Sequence, residues 1–117
     1  MSGHRLQQDF YNTDLSITDP GNGQVIPVDR NFLFVGLTVG AAAETRTLLA
    51  PLKPGLTVTL CLASTEGGNC AVTIVGTFDG TDDIYTLADA GSWVEFRSIQ
   101  TGIHTYQWAK ACEGEQA

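Results

Sequence analysis

Between Leu56 and Leu62 the chain alternates without a break. Leu56, Val58, Leu60 and Leu62 are aliphatic, while Thr57, Thr59 and Cys61 are small. Successive side chains of an extended strand point to opposite faces, so this period of two gathers the aliphatics on one side. A helix would scatter the same residues around its axis. The period recurs along the chain. From Phe32 to Val39, Leu33, Val35, Leu37 and Val39 share one face, and Phe32 and Phe34 take the other. Ala71 to Phe78 sets Val72, Ile74 and Phe78 against Thr73, Val75 and Thr77. Ser92 to Ile99 sets Trp93, Glu95 and Arg97 against Val94 and Phe96. Thr45 to Leu49 and Asp83 to Leu87 are shorter strands. Ile103 to Ala109 ends the series with His104, Tyr106 and Trp108 on one face.

The joints between these runs are turn chemistry: Glu66-Gly67-Gly68-Asn69, Asp79 to Asp83, Asp89-Ala90-Gly91 and Thr101-Gly102. Glycine reaches positive φ at little steric cost, and aspartate bonds its own backbone. Fourteen threonines suit strands far better than helices. The best helical stretch, Gly40 to Glu44, is one turn long. The pattern predicts an all-β fold, a single sandwich or jelly-roll-like domain of about seven to eight short antiparallel strands. Residues 1–23 read as an extended N-terminal arm, 24–112 as the β-domain and 113–117 as an acidic tail. Within the arm, Phe10, Tyr11, Leu15 and Ile17 are apolar anchors in a polar setting. The spacing leaves open whether they lie on their own domain or on a neighbour.

Composition narrows the function. Six Lys and Arg stand against thirteen Asp and Glu in 117 residues, a formal net charge of −7. Phosphate backbones need clustered cations, so nucleic acid is not an expected partner. No apolar run is long enough for a transmembrane helix, and Met1 to Phe10 does not read as a signal peptide. With three cysteines, Cys61, Cys70 and Cys112, at least one thiol in a monomer is unpaired. Cys61 and Cys70 flank a turn, and their pairing across adjacent strands stays open.

Chemistry-bearing clusters are sparse. Asp79, Asp82, Asp83 and Asp89 could gather oxygens for a cation, but the spacing is not that of a calcium loop and aspartates favour turns anyway. His4 and His104 lack metal-ligand spacing, and no base stands beside a nucleophile. No catalytic residue, metal or cofactor is therefore expected, and the chain does not read as an enzyme. Tyr85, Trp93, Tyr106 and Trp108 offer either a shelf for sugar rings or cross-strand packing. Glu95 and Arg97 share a strand face and can pair with each other or with a neighbouring subunit.

Two longer stretches carry a resemblance. One is Ala43-Glu44-Thr45-Arg46-Thr47-Leu48-Leu49-Ala50-Pro51, followed by Pro54-Gly55-Leu56-Thr57-Val58-Thr59-Leu60. The other runs from Tyr85 through Asp89-Ala90-Gly91-Ser92-Trp93-Val94-Glu95-Phe96, followed by Tyr106-Gln107-Trp108. Together they resemble small β-sandwich virion proteins of tailed bacteriophages, of the capsid decoration (cement) or head-fibre type, over roughly residues 40 to 110. The resemblance implies a homotrimer on the outer surface of the capsid, with the major capsid protein as partner and assembly in the host cytoplasm. It carries no active-site residues. On this reading Phe10, Tyr11, Leu15 and Ile17 anchor the arm to the capsid, and Trp93, Tyr106 and Trp108 form the subunit interface. The alternative is a tail-fibre or spike module that recognises host glycans, with the same aromatics as its shelf. A hydrolase fragment of a spike comes last, since no carboxylate pair stands out.

Overall fold

A computed structural model describes residues 16–76, 78 and 82–114 of the chain. Among the described residues nine strands form: β1 (Ser16–Ile17), β2 (Gln24–Val25), β3 (Phe32–Val39), β4 (Glu44–Leu48), β5 (Thr57–Thr65), β6 (Cys70–Ile74), β7 (Ile84–Leu87), β8 (Trp93–Gly102) and β9 (Thr105–Gly114). The described residues contain no helix. The all-β expectation therefore stands, and Gly40 to Ala43 is a loop.

The pairing corrects the antiparallel expectation. One sheet, sheet A, has the order β1-β3-β5-β8-β9, and the other, sheet B, has β2-β4-β6-β7. β1, β3 and β5 are parallel to one another, as are β2, β4 and β6. Only the pairs β5·β8, β6·β7 and β8·β9 are antiparallel. The reason lies in the winding. From β1 to β6 the chain visits sheet A and sheet B in turn, so each return to a sheet runs in the same direction as the visit before. Hairpins give antiparallel neighbours; a coil gives parallel ones. The turns stack as the strands do. Gly68 N–H donates to the Gly40 carbonyl at 2.9 Å and Glu44 N–H to the Asn69 carbonyl at 2.9 Å, joining the loops at one end of successive coils. The packing there is tight enough to demand glycine, because a Cβ on Gly68 would stand 2.2 Å from the Ala42 carbonyl oxygen.

One core lies between the sheets. Leu33, Val35, Leu37, Val58, Leu60 and Leu62 enter it from sheet A, and Leu48, Val72 and Ile74 from sheet B. The faces read from the alternation in β3 and β5 are those observed: Phe32 and Phe34 point outward, at 59% and 44% exposure. β6 ends at Ile74, earlier than the alternation suggested, and Phe78 reaches the core from beyond the strand. There its ring meets Tyr85 and Phe96 edge-on, with centroids 5.9 and 5.6 Å apart.

Two polar groups close the sides. At one edge, the Tyr85 hydroxyl of β7 donates to Glu113 of β9, and Lys110 pairs with Glu113 at 2.5 Å. Lys110 and Tyr85 hold the Glu113 carboxyl below the ordinary glutamate range. Glu113 and Gly114 thus belong to β9. At the other edge, Arg46 of β4 is 1% exposed, and its guanidinium meets Asp19 on both arms, at 2.8 and 2.7 Å. It also reaches Glu44 at 3.1 Å and the Thr38 carbonyl of β3 at 3.3 Å. Asp19 in turn accepts from the Thr38 N–H at 2.9 Å, so this group ties sheet A to sheet B.

Candidate functional site

The registers place the outward residues in rows. Across sheet A, Phe34 lies beside Thr59, Thr59 beside Glu95 and Glu95 beside Cys112. The flanking rows are Phe32, Thr57, Arg97 and Ala109, and Gly36, Cys61, Trp93 and Gly114. The only charged pair in these rows is Glu95 with Arg97, bonded to each other at 3.1 Å. On sheet B the outward rows are Val25, Thr47, Thr73 and Ile84, and Thr45, Ala71 and Thr86, with no charged side chain. A chain of net charge −7 thus presents two broad faces of no net charge, one of them aromatic. The exposed Phe32, Phe34, Ile84 and Ile99 leave apolar surface in water on these faces.

The end of the molecule where β3 and β5 begin carries a third feature. The loops 26–31 and 49–56 enclose an open groove of about 450 Å³ with Trp108 at its floor. Val28, Leu49, Pro51 and Leu56 line it, and Leu52 on its rim is 90% exposed. Asp29 and Arg30 pair with each other at 2.7 Å beside it, and Lys53 completes its charged groups. Next to the groove the β8–β9 hairpin overhangs the sheet. Ser98 is the last β8 residue bonded to the β5 side, through Leu56, and Ile99 to Gly102 pair with β9 alone. At the tip Ile103 is 86% exposed and His104 has a φ of 57°.

The aromatic residues singled out in the sequence do not assemble into one surface. Trp108 is wholly buried, and its Nε1–H donates to the Leu49 carbonyl at 2.8 Å. It pairs with Ser98, whereas Trp93 pairs with Gly114 far along the same two strands. Trp93 belongs to the outer face of sheet A, its indole resting on Gly114: a Cβ there would stand 2.4 Å from the ring nitrogen. Tyr106 is half-buried opposite Gln100 near the hairpin tip. Tyr85 is tucked between Phe78, Phe96 and Lys110. Only Trp93, then, is placed on a broad outer face, and a shared shelf with Trp108 is ruled out by the latter's burial.

The other expectations sort similarly. Phe10, Tyr11 and Leu15 lie outside the described residues. Ile17 in β1 packs against this chain's own core, so its side chain is already engaged. Cys61 and Cys70 fall on different sheets, and all three cysteines are free thiols. Burial pushes the Cys70 thiol up, toward the inert protonated form. Asp79 lies outside the described residues. Among the described residues no three His, Cys, Asp or Glu side chains gather as a metal site, and no helix is long and apolar enough to cross a membrane. Sequence reasoning missed the groove and the Arg46–Asp19 group, both built from segments distant in the chain. No family model matches this sequence, and no curated protein matches it.

Proposed function

We propose that this chain is a structural virion protein, a capsid decoration protein that binds the outside of a phage head as a homotrimer. The observation that carries the reading is the pair of outer sheet faces without net charge, with Phe32, Phe34 and Trp93 on sheet A. Such faces suit neighbours in an assembly, while the acidic residues keep the remaining surface soluble. The resemblance to small β-sandwich virion proteins over residues 40 to 110 supplies the kind of assembly. Cementing follows from mass action: a protein that binds the assembled shell and not the free capsid subunit stabilises the shell.

The test uses purified heads that lack the protein. Adding the full chain is expected to saturate at a fixed copy number per head and to raise the temperature at which the shell opens. Absence of saturable binding would overturn the reading. A handful of copies confined to the tail, with binding to host glycans, would favour the fibre alternative instead.

A further inference from the structure

Two features of the groove at the 26–31 and 49–56 end call for the same kind of occupant. The first is a cation. Of the Lys and Arg side chains among the described residues, Arg30, Arg46, Arg97 and Lys110 each pair with a carboxylate. Lys53, in the groove lining, has no carboxylate partner among the described residues. With Asp29 and Arg30 it gives the lining two cations and one anion, on a chain of net charge −7. The second feature is apolar wall. The floor is already packed, with Ile26, Leu56 and Trp108 buried. The walls are not: Val25, Leu49 and Leu52 are 44%, 53% and 90% exposed. An occupant that suits both features has an apolar body with a negative charge beside it.

The chain itself leads such a segment to this end. β1 runs parallel to β3, with Ser16 opposite Phe34. β3 begins two residues earlier, at Phe32, directly after the 26–31 loop of the groove. The chain therefore enters β1 from the groove end. Residues 1–15 lie outside the described residues, and their sequence includes Asp9-Phe10-Tyr11, with Asp14 and no cation from Asp9 to Leu15. Phe10 stands six residues before Ser16, a reach of up to about 20 Å. Strands lie about 4.8 Å apart, so the loops leading into β3 and β5, the next two strands of the sheet after β1, fall within that reach. We infer that Phe10 lies in the groove of its own chain, with Asp9 toward Lys53 and Tyr11 over Leu52. In an extended segment residues 9 and 11 share one side and residue 10 takes the other, so the ring enters while its neighbours meet the rim. Phe10 and Tyr11 then serve their own chain and not a capsid. The proposed function, carried by the sheet faces, does not depend on this contact.

The test uses the full chain in solution, followed by NMR. Nuclear Overhauser contacts between the Phe10 ring and the methyl groups of Leu49 or Leu52 are expected. Isotope-filtered spectra of mixed labelled and unlabelled copies should place them within one chain. Phe10→Ser combined with Tyr11→Ser is expected to shift the Leu49 and Leu52 methyl signals through the lost ring currents. The Leu60 and Leu62 signals and the circular dichroism should stay as they are, since neither position belongs to a described strand. The doubly substituted chain is then expected to bind an added peptide of residues 6–15, and the parent is not. A tethered segment has an effective concentration in the millimolar range, so a docked arm requires a peptide Kd of about 1 mM or tighter. Lys53→Glu in the substituted chain should weaken the peptide about two- to fivefold, and much of that difference should vanish with an Asp9→Asn peptide. Contacts found only between copies would mean arm exchange, and a parent that binds the peptide equally well would mean a groove open to another occupant; either overturns the inference. So do methyl signals that ignore the double substitution, no saturable binding at millimolar peptide, or a Lys53→Glu chain that binds as tightly.

Discussion

At the scale of single residues, the most consequential group is Arg46 with Asp19. Arg46 is almost fully enclosed, and Asp19 supplies both oxygens of a forked pair. Burial pushes the Asp19 pKa up, but hydrogen bonds from Arg46, Thr38 and Gly21 together outweigh it and hold the carboxyl below its ordinary value of 3.8. Removing Asp19 leaves the enclosed Arg46 with Glu44 as its remaining counter-ion, so Asp19→Asn is expected to cost about 2 kcal/mol at neutral pH by urea unfolding. The pH dependence has a definite sign. A carboxyl with a depressed folded pKa contributes its stability above the unfolded value and loses it as pH falls through the folded one. Parent and Asp19→Asn chains should therefore converge in stability below about pH 4. A second residue-scale test is Gly68→Ala. The new methyl would collide with the Ala42 carbonyl, and a loss of about 3 kcal/mol or more is expected from the shift in unfolding midpoint. Neither group was legible in the sequence. Period two gives a residue's face but not what lies opposite it.

At the scale of elements, alternation was a sound guide to which side chains are inside. β3 and β5 bury the four aliphatics that each run set on one face. It was a poor guide where a strand leaves the sheet's shelter. The tryptophans show the difference: both sit in alternating runs on paired strands, yet Trp108 faces the core and Trp93 the outer face. Trp108→Ala should cost about 4 kcal/mol, since it empties the groove floor and leaves the Leu49 carbonyl without its donor. Trp93→Ala should cost markedly less in the same denaturation assay. If the two losses were equal, the placement of Trp93 on the outer face would be wrong. Phe32 and Phe34 belong to the same outer face, and their replacement by threonine should leave the melting temperature nearly unchanged.

At the scale of the whole molecule, the sequence carried the class and not the winding. Short strands separated by glycine-rich turns fit a coil and a set of hairpins equally well. What separates them is whether successive strands lie in one sheet or in two, and no local pattern encodes that. The consequence for folding is measurable. Parallel pairing joins residues only after a full circuit of the chain, so loop closure precedes most of the stabilising contacts. Refolding by stopped flow is expected in milliseconds to seconds, not microseconds. A faster single phase would mean that the pairing is more local than β3·β5 and β4·β6 require.

The stacked loops at Gly40 and Gly68 have one further consequence. Where each circuit lies on the one before it, strand on strand and turn on turn, with one register shift between Leu37 and Thr38, nothing in the pairing dictates how many circuits there are. Such a molecule can be lengthened by duplication of one circuit, with β8 and β9 closing sheet A and β7 closing sheet B on the same side. Its height is a count of circuits, and a change in that count alone would change it.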